Sequence, residues 1–312
     1  MDEAGPIQPT FSIITPVHNH ARYVAQAIRS VIAQTYRQWE QIVVDDGSTD
    51  GSDRIAAELA GRDKRIILIR QANAGAAAAR NTALGKASGQ WITYLDSDDI
   101  WFPDTLASYH RYIRDHPQAK FIFGHRHRLN EDGSVTELPG EHQDRPNGTA
   151  ELFQRMYIST LCVCHRRDLL QEAGTFDANL PCCEDYDLFL RMSLHCPLEP
   201  LGKPTGLRRR HEGNLSRQTG FSRMVEAEVL RRFVERHSAR AALGEGIVHR
   251  RLGRLYYASA RQYFKGRCFR QAIGAARLAR RYEPSLKAGL VSAAARCLLP
   301  FGRSDDRELP RL

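Results

Sequence analysis

Residues 91–103 read WITYLDSDDIWFP, an apolar run from Trp91 to Leu95 followed at once by Asp96, Ser97, Asp98 and Asp99. Aromatic and β-branched residues over this length read as a buried strand, so the polar cluster falls at the strand's carboxyl end. In an open α/β sheet that is the edge at which ligands bind. Crowded carboxylates repel one another, and a hard divalent cation such as Mg²⁺ or Mn²⁺ is the usual reason to bring them together. The same residues ahead of Trp-Phe-Pro also suit the N-terminus of a helix starting near Pro103. The stretch alone leaves both readings open.

The residues before it set the architecture. Phe11 to Val17 reads as a first strand, and Ala21 to Thr35 carries Val24, Ala27, Ile28, Val31 and Ile32 at helical spacing. Gln41 to Val44 is a second strand ending in Asp45-Asp46-Gly47-Ser48, and Ser52 or Asp53 can cap a helix running to about Ala60. Arg65 to Arg70 reads as a third strand and the alanine-rich Gly75 to Ala87 as a third helix, which makes residues 91–95 the fourth strand. This alternation predicts parallel strands joined by right-handed crossovers, with helices on both faces of the sheet. Lys120 to Leu129 reads as a further strand closing at the turn Asn130-Glu131-Asp132-Gly133, after which the pattern is less regular.

The 312 residues, 42% of them hydrophobic, suffice for a real core and predict one large domain with an appendage, or two domains. Charge divides the chain unevenly. Residues 221–312 hold 20 basic and 8 acidic side chains against 25 and 28 in residues 1–220, so nearly all of the net +9 belongs to the tail. Seven cysteines without a C-x-x-C pair suit reduced thiols and a cytoplasmic setting rather than a disulfide framework or a zinc site. The first residues include Asp2 and Glu3 with no apolar leader, and no uncharged run approaches a membrane span, so neither secretion nor bilayer crossing is expected.

Six segments in order carry a resemblance. They are Thr15-Pro16-Val17-His18-Asn19; Val43-Val44-Asp45-Asp46-Gly47-Ser48-Thr49-Asp50; Asn73-Ala74-Gly75 with Ala79-Arg80-Asn81; Leu95-Asp96-Ser97-Asp98-Asp99; Cys183-Glu184-Asp185-Tyr186-Asp187-Leu188; and Arg210-His211-Glu212-Gly213-Asn214-Leu215-Ser216. Together they resemble a family 2 glycosyltransferase of the GT-A fold, over residues 11–216. The resemblance implies a Rossmann-like, mostly parallel sheet in a catalytic domain of residues 1–220, with a donor half at about 10–130 and an acceptor half at about 131–220. It further implies an inverting, metal-dependent transfer from a nucleoside-diphosphate sugar, a UDP-sugar being favoured, to a glycan or lipid-linked acceptor, as in polysaccharide biosynthesis of the cell envelope. His18 departs from the family's usual Tyr and is expected to affect base stacking or loop packing.

The resemblance assigns roles residue by residue. Thr15, Pro16, Asn19, Asp45, Asp46, Arg80 and Asp96 are expected around the donor nucleotide, with Asp46 at the base and Asp96 at the ribose. Asp98 and His211 are expected to hold Mg²⁺ or Mn²⁺, and Asp185 to act as the general base. The chemistry agrees: carboxylates accept from a base N–H or a ribose hydroxyl, and Gly47 lets a ligand approach the backbone. Plainer alternatives stand beside these roles. Asp-Gly-Ser is also an ordinary turn, Arg80 could form a surface ion pair, and Glu184-Asp185 could simply favour a helix N-terminus. Arg208 to Arg210 could neutralise phosphate oxygens or form a solvated basic loop.

Past Gly220 the sequence is helical: Glu226 to His237, Ile247 to Phe264, Cys268 to Tyr282 and Ser285 to Leu299. Tyr257, Ala258, Ala260, Gly266, Ala272, Ala279 and Pro284 resemble one tetratricopeptide-like hairpin, too few for a solenoid. The basic helical extension, residues 221–312, is expected to pack on the catalytic domain, meet an acceptor, or touch the inner face of an anionic membrane. A nucleic-acid partner is not expected, because the tail forms no recognisable binding module and would leave the carboxylate motifs unused. A catalytically inactive scaffold using the tail is the alternative function, although Asp46, Asp98 and Asp185 are all present.

Overall fold

The computed structural model describes residues 9–140, 144, 147–211, 219–237 and 243–302. It forms two compact units, the first of Met1–Gly148, Met156–Ala178 and Arg191–Glu212, the second of Thr149–Arg155, Asn179–Leu190 and Gly213–Leu312.

The first unit is built on a mixed sheet. Its strands are β1 (Phe11–Val17), β2 (Trp39–Asp46), β3 (Ile66–Gln71), β4 (Trp91–Tyr94), β5 (Ile100–Trp101), β6 (Phe121–Leu129), β7 (Val135–Thr136), β8 (Val163–Arg166) and β9 (Leu198–Arg209). The order is β3-β2-β1-β4-β8-β6-β9-β5, with β7 on β6. β3, β2, β1 and β4 are parallel, as their alternation with helices α1 (Val24–Ile32), α2 (Ser52–Arg62) and α3 (Ala76–Leu84) requires. Every residue of β1 and β2 is buried, the signature of parallel strands covered on both faces. Val24, Ala27, Ile28 and Val31 of α1 pack into the same core as Phe11, Ile13, Trp39 and Trp91. Because these strands are parallel, their following loops emerge on one edge. The strand order reverses beside β1, where a ligand crevice is expected.

Beyond β4 the sheet turns antiparallel through β8, which pairs with both β4 and β6. Local pattern carries little sign of β5, β8 or β9, since β5 spans only two residues and β9 is half-buried and rich in proline, glycine and arginine. β9 reaches β5 in antiparallel register, Trp101 facing Gly206. A Cβ on Gly206 would collide with the Ile100 carbonyl, so only glycine allows β9 to close against the residues that follow Asp99. Across β4 and β8, His165 is fully buried: its Nε2 lies 2.8 Å from the Tyr94 hydroxyl and its Nδ1 2.9 Å from the Arg166 carbonyl. Burial lowers its pKa to about 4. Helices α4 (Thr105–Asp115) and α6 (Leu169–Ala173) and a 3-10 helix at Thr160–Cys162 also belong to this unit.

The second unit is helical. It holds α5 (Thr149–Gln154), the first residues of α7 (Glu184–Met192), then α8 (Gly220–Arg236), α9 (Glu245–Lys265), α10 (Phe269–Tyr282) and α11 (Leu286–Cys297). A capping box starts α8: Ser222 N–H donates to Thr219 Oγ1 at 3.1 Å and Thr219 N–H to Ser222 Oγ at 2.9 Å. α9 and α10 form an antiparallel hairpin, with Phe264 and Phe269 rings 5.4 Å apart at the turn and Tyr256 stacked on Tyr282 at 5.7 Å. The buried face of α10 contains Ala272, Ala275, Ala276 and Ala279, small enough for close helix approach. Arg251 of α9 bonds Glu226 of α8 and donates to the Phe153 carbonyl at 3.3 Å. None of the described helices is long and apolar enough to cross a membrane.

Candidate active site

Asp96 to Asp99 form the turn that leaves β4, with Asp99 N–H donating to the Asp96 carbonyl at 3.1 Å. They do not cap a helix: α4 begins at Thr105 with Asp104 at its N-cap. Each side chain of the turn has its own surroundings. Ser97 is buried and its Oγ lies 2.7 Å from His20 Nδ1. Asp99 is 4% exposed and accepts from Arg209 N–H at 2.9 Å. Burial, then the neighbouring Asp98 and Asp96 charges, push its pKa well above the ordinary carboxylate range. Asp96 accepts from Arg80 Nη2 at 2.8 Å, and Arg80 is 5% exposed with its guanidinium 5.4 Å over the Phe176 ring. Arg80 is therefore a buried ion-pair partner of Asp96, neither a surface pair nor a group standing alone.

The turn after β2 supplies the second cluster. Asp46 Oδ1 accepts from Gln71 Nε2 at 2.8 Å and Ala74 N–H at 2.9 Å, and Oδ2 from Gly75 N–H at 2.8 Å. A carboxylate offers about four lone-pair sites, and three are spent, two on the loop before α3 and one on Gln71 at the end of β3. Gly47 lets that loop come close: its φ is +71°, and a Cβ there would lie 2.9 Å from Asn73 N. Asp45 is 3% exposed; its Oδ2 is 3.4 Å from Ser48 N–H, and its buried Oδ1 has no hydrogen-bond partner among the described residues. Asn19 adopts φ 53°, a left-handed conformation that asparagine tolerates, and accepts from Thr49 N–H at 2.9 Å. Thr15 and Pro16 are buried in β1, and Thr15 Oγ1 accepts from Gln41 Nε2 at 3.0 Å inside the sheet. His18 packs on the loop, its Nδ1 2.8 Å from the Asp46 carbonyl and its ring nitrogens 3.0–3.1 Å from Asn73 Nδ2.

The end of β9 returns to this edge. His211 Nε2 lies 2.9 Å from Asp98 Oδ2. Arg209 donates to the Asp98 carbonyl at 3.0 Å and to Gln26 Oε1 at 2.6 Å, with its guanidinium 4.9 Å over Tyr23. That arginine is spent on fixing the turn. His20 joins Asp98 and His211: one ligand atom from each falls within 4.8 Å of the other two. Metal–ligand bonds of about 2.1 Å give adjacent ligands about 3 Å apart and opposite ones about 4.2 Å. Carboxylate and imidazole donors at this spacing fit one divalent ion. Residues 212–218, which include Glu212 and the Gly213 to Ser216 segment of the last motif, lie outside the described residues.

His20 and Gln71 were not singled out from the sequence: the second histidine of His18-Asn19-His20 was the one available signal, and Gln71 meets the site only through strand pairing. Arg209, which the sequence groups with Arg208 and Arg210 as phosphate neutralisers or a solvated basic loop, bonds the Asp98 carbonyl and Gln26. Asp185 belongs to the second unit, in the first turn of α7, where its Oδ1 accepts from Tyr186 N–H at 2.8 Å. Tyr186 is buried and its hydroxyl donates to the Leu152 carbonyl at 2.7 Å.

Asp46 ends β2 and Asp96-Ser97-Asp98 follow β4, on the edge to which the end of β9 returns His211, in a mixed sheet flanked by helices. The chain belongs to glycosyl transferase family 2, whose description matches residues 12–173. An uncharacterised glycosyltransferase of Rickettsia conorii is 33% identical over 58% of this chain and 30% of its own length. The putative colanic acid biosynthesis glycosyl transferase WcaA of Escherichia coli is 33% identical over 59% of this chain and 66% of its own. The chain spans 20–30% of the first five curated relatives it matches. Among solved structures, S. aureus TarS 1-349 in complex with UDP superposes with a TM-score of 0.66 at 17% identity, over 96% of this chain and 94% of that one. Mannosyltransferase PcManGT from Pyrobaculum calidifontis, in complex with GDP-Man and Mn²⁺, gives 0.57 at 19% identity over 94% and 81%.

Proposed function

We propose that the chain moves a sugar from a nucleoside-diphosphate sugar, a UDP-sugar by preference, to a hydroxyl of a glycan or lipid-linked acceptor, with inversion at the anomeric carbon. The supporting observation is the meeting of Asp98 and His211 at 2.9 Å on the edge where the parallel strands end. A divalent ion held by these residues would supply Lewis-acid neutralisation of the diphosphate leaving group. The chain's own residues do the rest. Asp46 and the buried Oδ1 of Asp45 offer acceptors for the base, and Asp96, oriented by Arg80, offers one for a ribose hydroxyl. The acceptor hydroxyl loses its proton to Asp185 as its oxygen bonds the anomeric carbon and the bond to the diphosphate oxygen breaks. One displacement without a covalent intermediate inverts the centre.

The relatives favour this reading: one is named for colanic acid biosynthesis, and the solved neighbours hold UDP or GDP-Man. A cytoplasmic enzyme of envelope polysaccharide synthesis, peripheral at the inner face of the membrane through its basic tail, fits the charge distribution. The test is a panel of UDP-, GDP- and dTDP-sugars with Mg²⁺ or Mn²⁺, read by nucleotide release and by NMR of the product anomer. One donor class should be consumed, an α-linked donor should give a β-linked product, and excess chelator should stop the reaction. A retained configuration, or a full rate in chelator, would overturn the proposal.

A further inference from the structure

We propose that His20 is a third protein ligand to the ion at Asp98 and His211, which makes the centre a two-histidine, one-carboxylate site that prefers a transition ion such as Mn²⁺ to Mg²⁺. The inference rests on the reading that Asp98 holds a divalent ion. It adds a residue from a different part of the fold. His20 lies in the loop between β1 and α1, Asp98 follows β4 and His211 follows β9, yet one ligand atom of each lies within 4.8 Å of the others. Among the described residues this is the one group of three or more His, Cys, Asp or Glu side chains gathered so closely.

The surroundings of His20 are those of a held ligand. Its Nδ1 sits 2.7 Å from Ser97 Oγ, and Ser97 is 2% exposed. A metal-binding imidazole commonly donates its second ring N–H to an oxygen, which fixes the tautomer and aims the other nitrogen. With Nδ1 engaged, Nε2 is the atom left for the ion. The backbone is fixed as well: His20 N–H donates to Ser52 Oγ at 2.9 Å, Ser52 is fully buried, and its hydroxyl donates to Asp50 Oδ1 at 2.5 Å. The His20 carbonyl accepts from Tyr23 and Val24 N–H at 2.9 Å each. The ring meets His211 edge-on with centroids 5.9 Å apart, leaving both imidazoles room to address one point. Ser97, between the two aspartates, thus orients an imidazole from another loop.

The ligand set determines which ion is favoured. Mg²⁺ prefers oxygen ligands and retains its waters, whereas imidazole nitrogen suits first-row transition ions. A second imidazole therefore adds more for Mn²⁺ than for Mg²⁺.

The experiment titrates the full chain with Mn²⁺ alone, following free ion by EPR, counting coordinated histidine nitrogens by electron spin-echo modulation, and repeating the titration with Mg²⁺ in competition. Wild type should show two histidine nitrogens. His20→Gln and His211→Gln should each show one, and His20→Gln should weaken Mn²⁺ binding about tenfold or more while narrowing the preference over Mg²⁺. One nitrogen in wild type that survives in His20→Gln overturns the role of His20 and leaves Asp98 and His211 as the site. The nitrogen count in wild type decides this even if a variant fails to fold. Absence of Mn²⁺ binding, or binding unchanged in Asp98→Asn, overturns both the His20 role and the reading beneath it.

Discussion

Replacing Asp46 by Asn tests whether the carboxylate proposed to meet the base also holds the surrounding backbone. Asp46 accepts three hydrogen bonds, from Gln71 Nε2, Ala74 N–H and Gly75 N–H, all at 2.8–2.9 Å, and is 2% exposed. Asn keeps one oxygen and turns an NH₂ toward whichever donor faced the other. Losing the charge on the two surviving bonds costs about 0.5–1 kcal/mol each, and stranding a buried N–H about 1–3 kcal/mol. The total is about 2–5 kcal/mol, a large share of a folded domain's roughly 5–15 kcal/mol. Trp39, Trp91 and Trp101 all lie buried in the first unit, so tryptophan fluorescence during urea unfolding reports the unit in which the loss occurs. With a slope of about 2 kcal/mol per molar, the midpoint should fall by roughly 1–2.5 M at unchanged slope. Asp45→Asn is the control: its acceptor contact with Ser48 N–H is long, at 3.4 Å, and its midpoint should stay within about 0.5 M of wild type. Coincident midpoints for the two variants would refute the account of Asp46 as the support of the loop.

Asp185→Asn should keep Mn²⁺ and nucleotide affinity while losing turnover by about two to four orders of magnitude, the usual worth of a general base; a near-normal rate in steady-state kinetics would exclude Asp185 from that role. His165, held neutral by burial with its pKa lowered to about 4, binds a proton more readily when unfolded. Its contribution is present above its ordinary pKa near 6.5 and is lost as pH falls toward 4, up to about 3 kcal/mol; urea midpoints from pH 8 to 4 should show this limb, and His165→Gln should flatten it. On α11, Leu286 and Leu290 are 90% and 70% exposed, one turn apart beside Lys287, in a tail of strong positive charge. Full-length protein should co-sediment with phosphatidylserine vesicles, release with rising salt, and bind less as Leu286→Gln/Leu290→Gln; equal binding to neutral vesicles would remove the tail as an anionic-surface contact.

The alternation of strands and helices from Phe11 to Leu95 was legible because parallel strands buried on both faces read as continuous apolar runs, and α1 shows its apolar stripe at helical spacing. Asp45-Asp46 and Asp96-Ser97-Asp98 were legible for the same reason: a strand's end marks where its loop must open. Composition also located the positive charge in residues 221–312. Local pattern could not reveal long-range pairing. β8 and β9 are short or polar and gain order only from neighbours far along the chain, and Gly206 matters because of a carbonyl a hundred residues away. Arg80 could face solvent, nucleotide or a carboxylate until the packing of α3 put it on Asp96. His20 looked like any loop histidine, and only the convergence of three loops on one sheet edge sets it beside Asp98 and His211. Residue types state which chemistry a chain can perform, whereas the distances that select among those chemistries arise only when strands remote in sequence become neighbours.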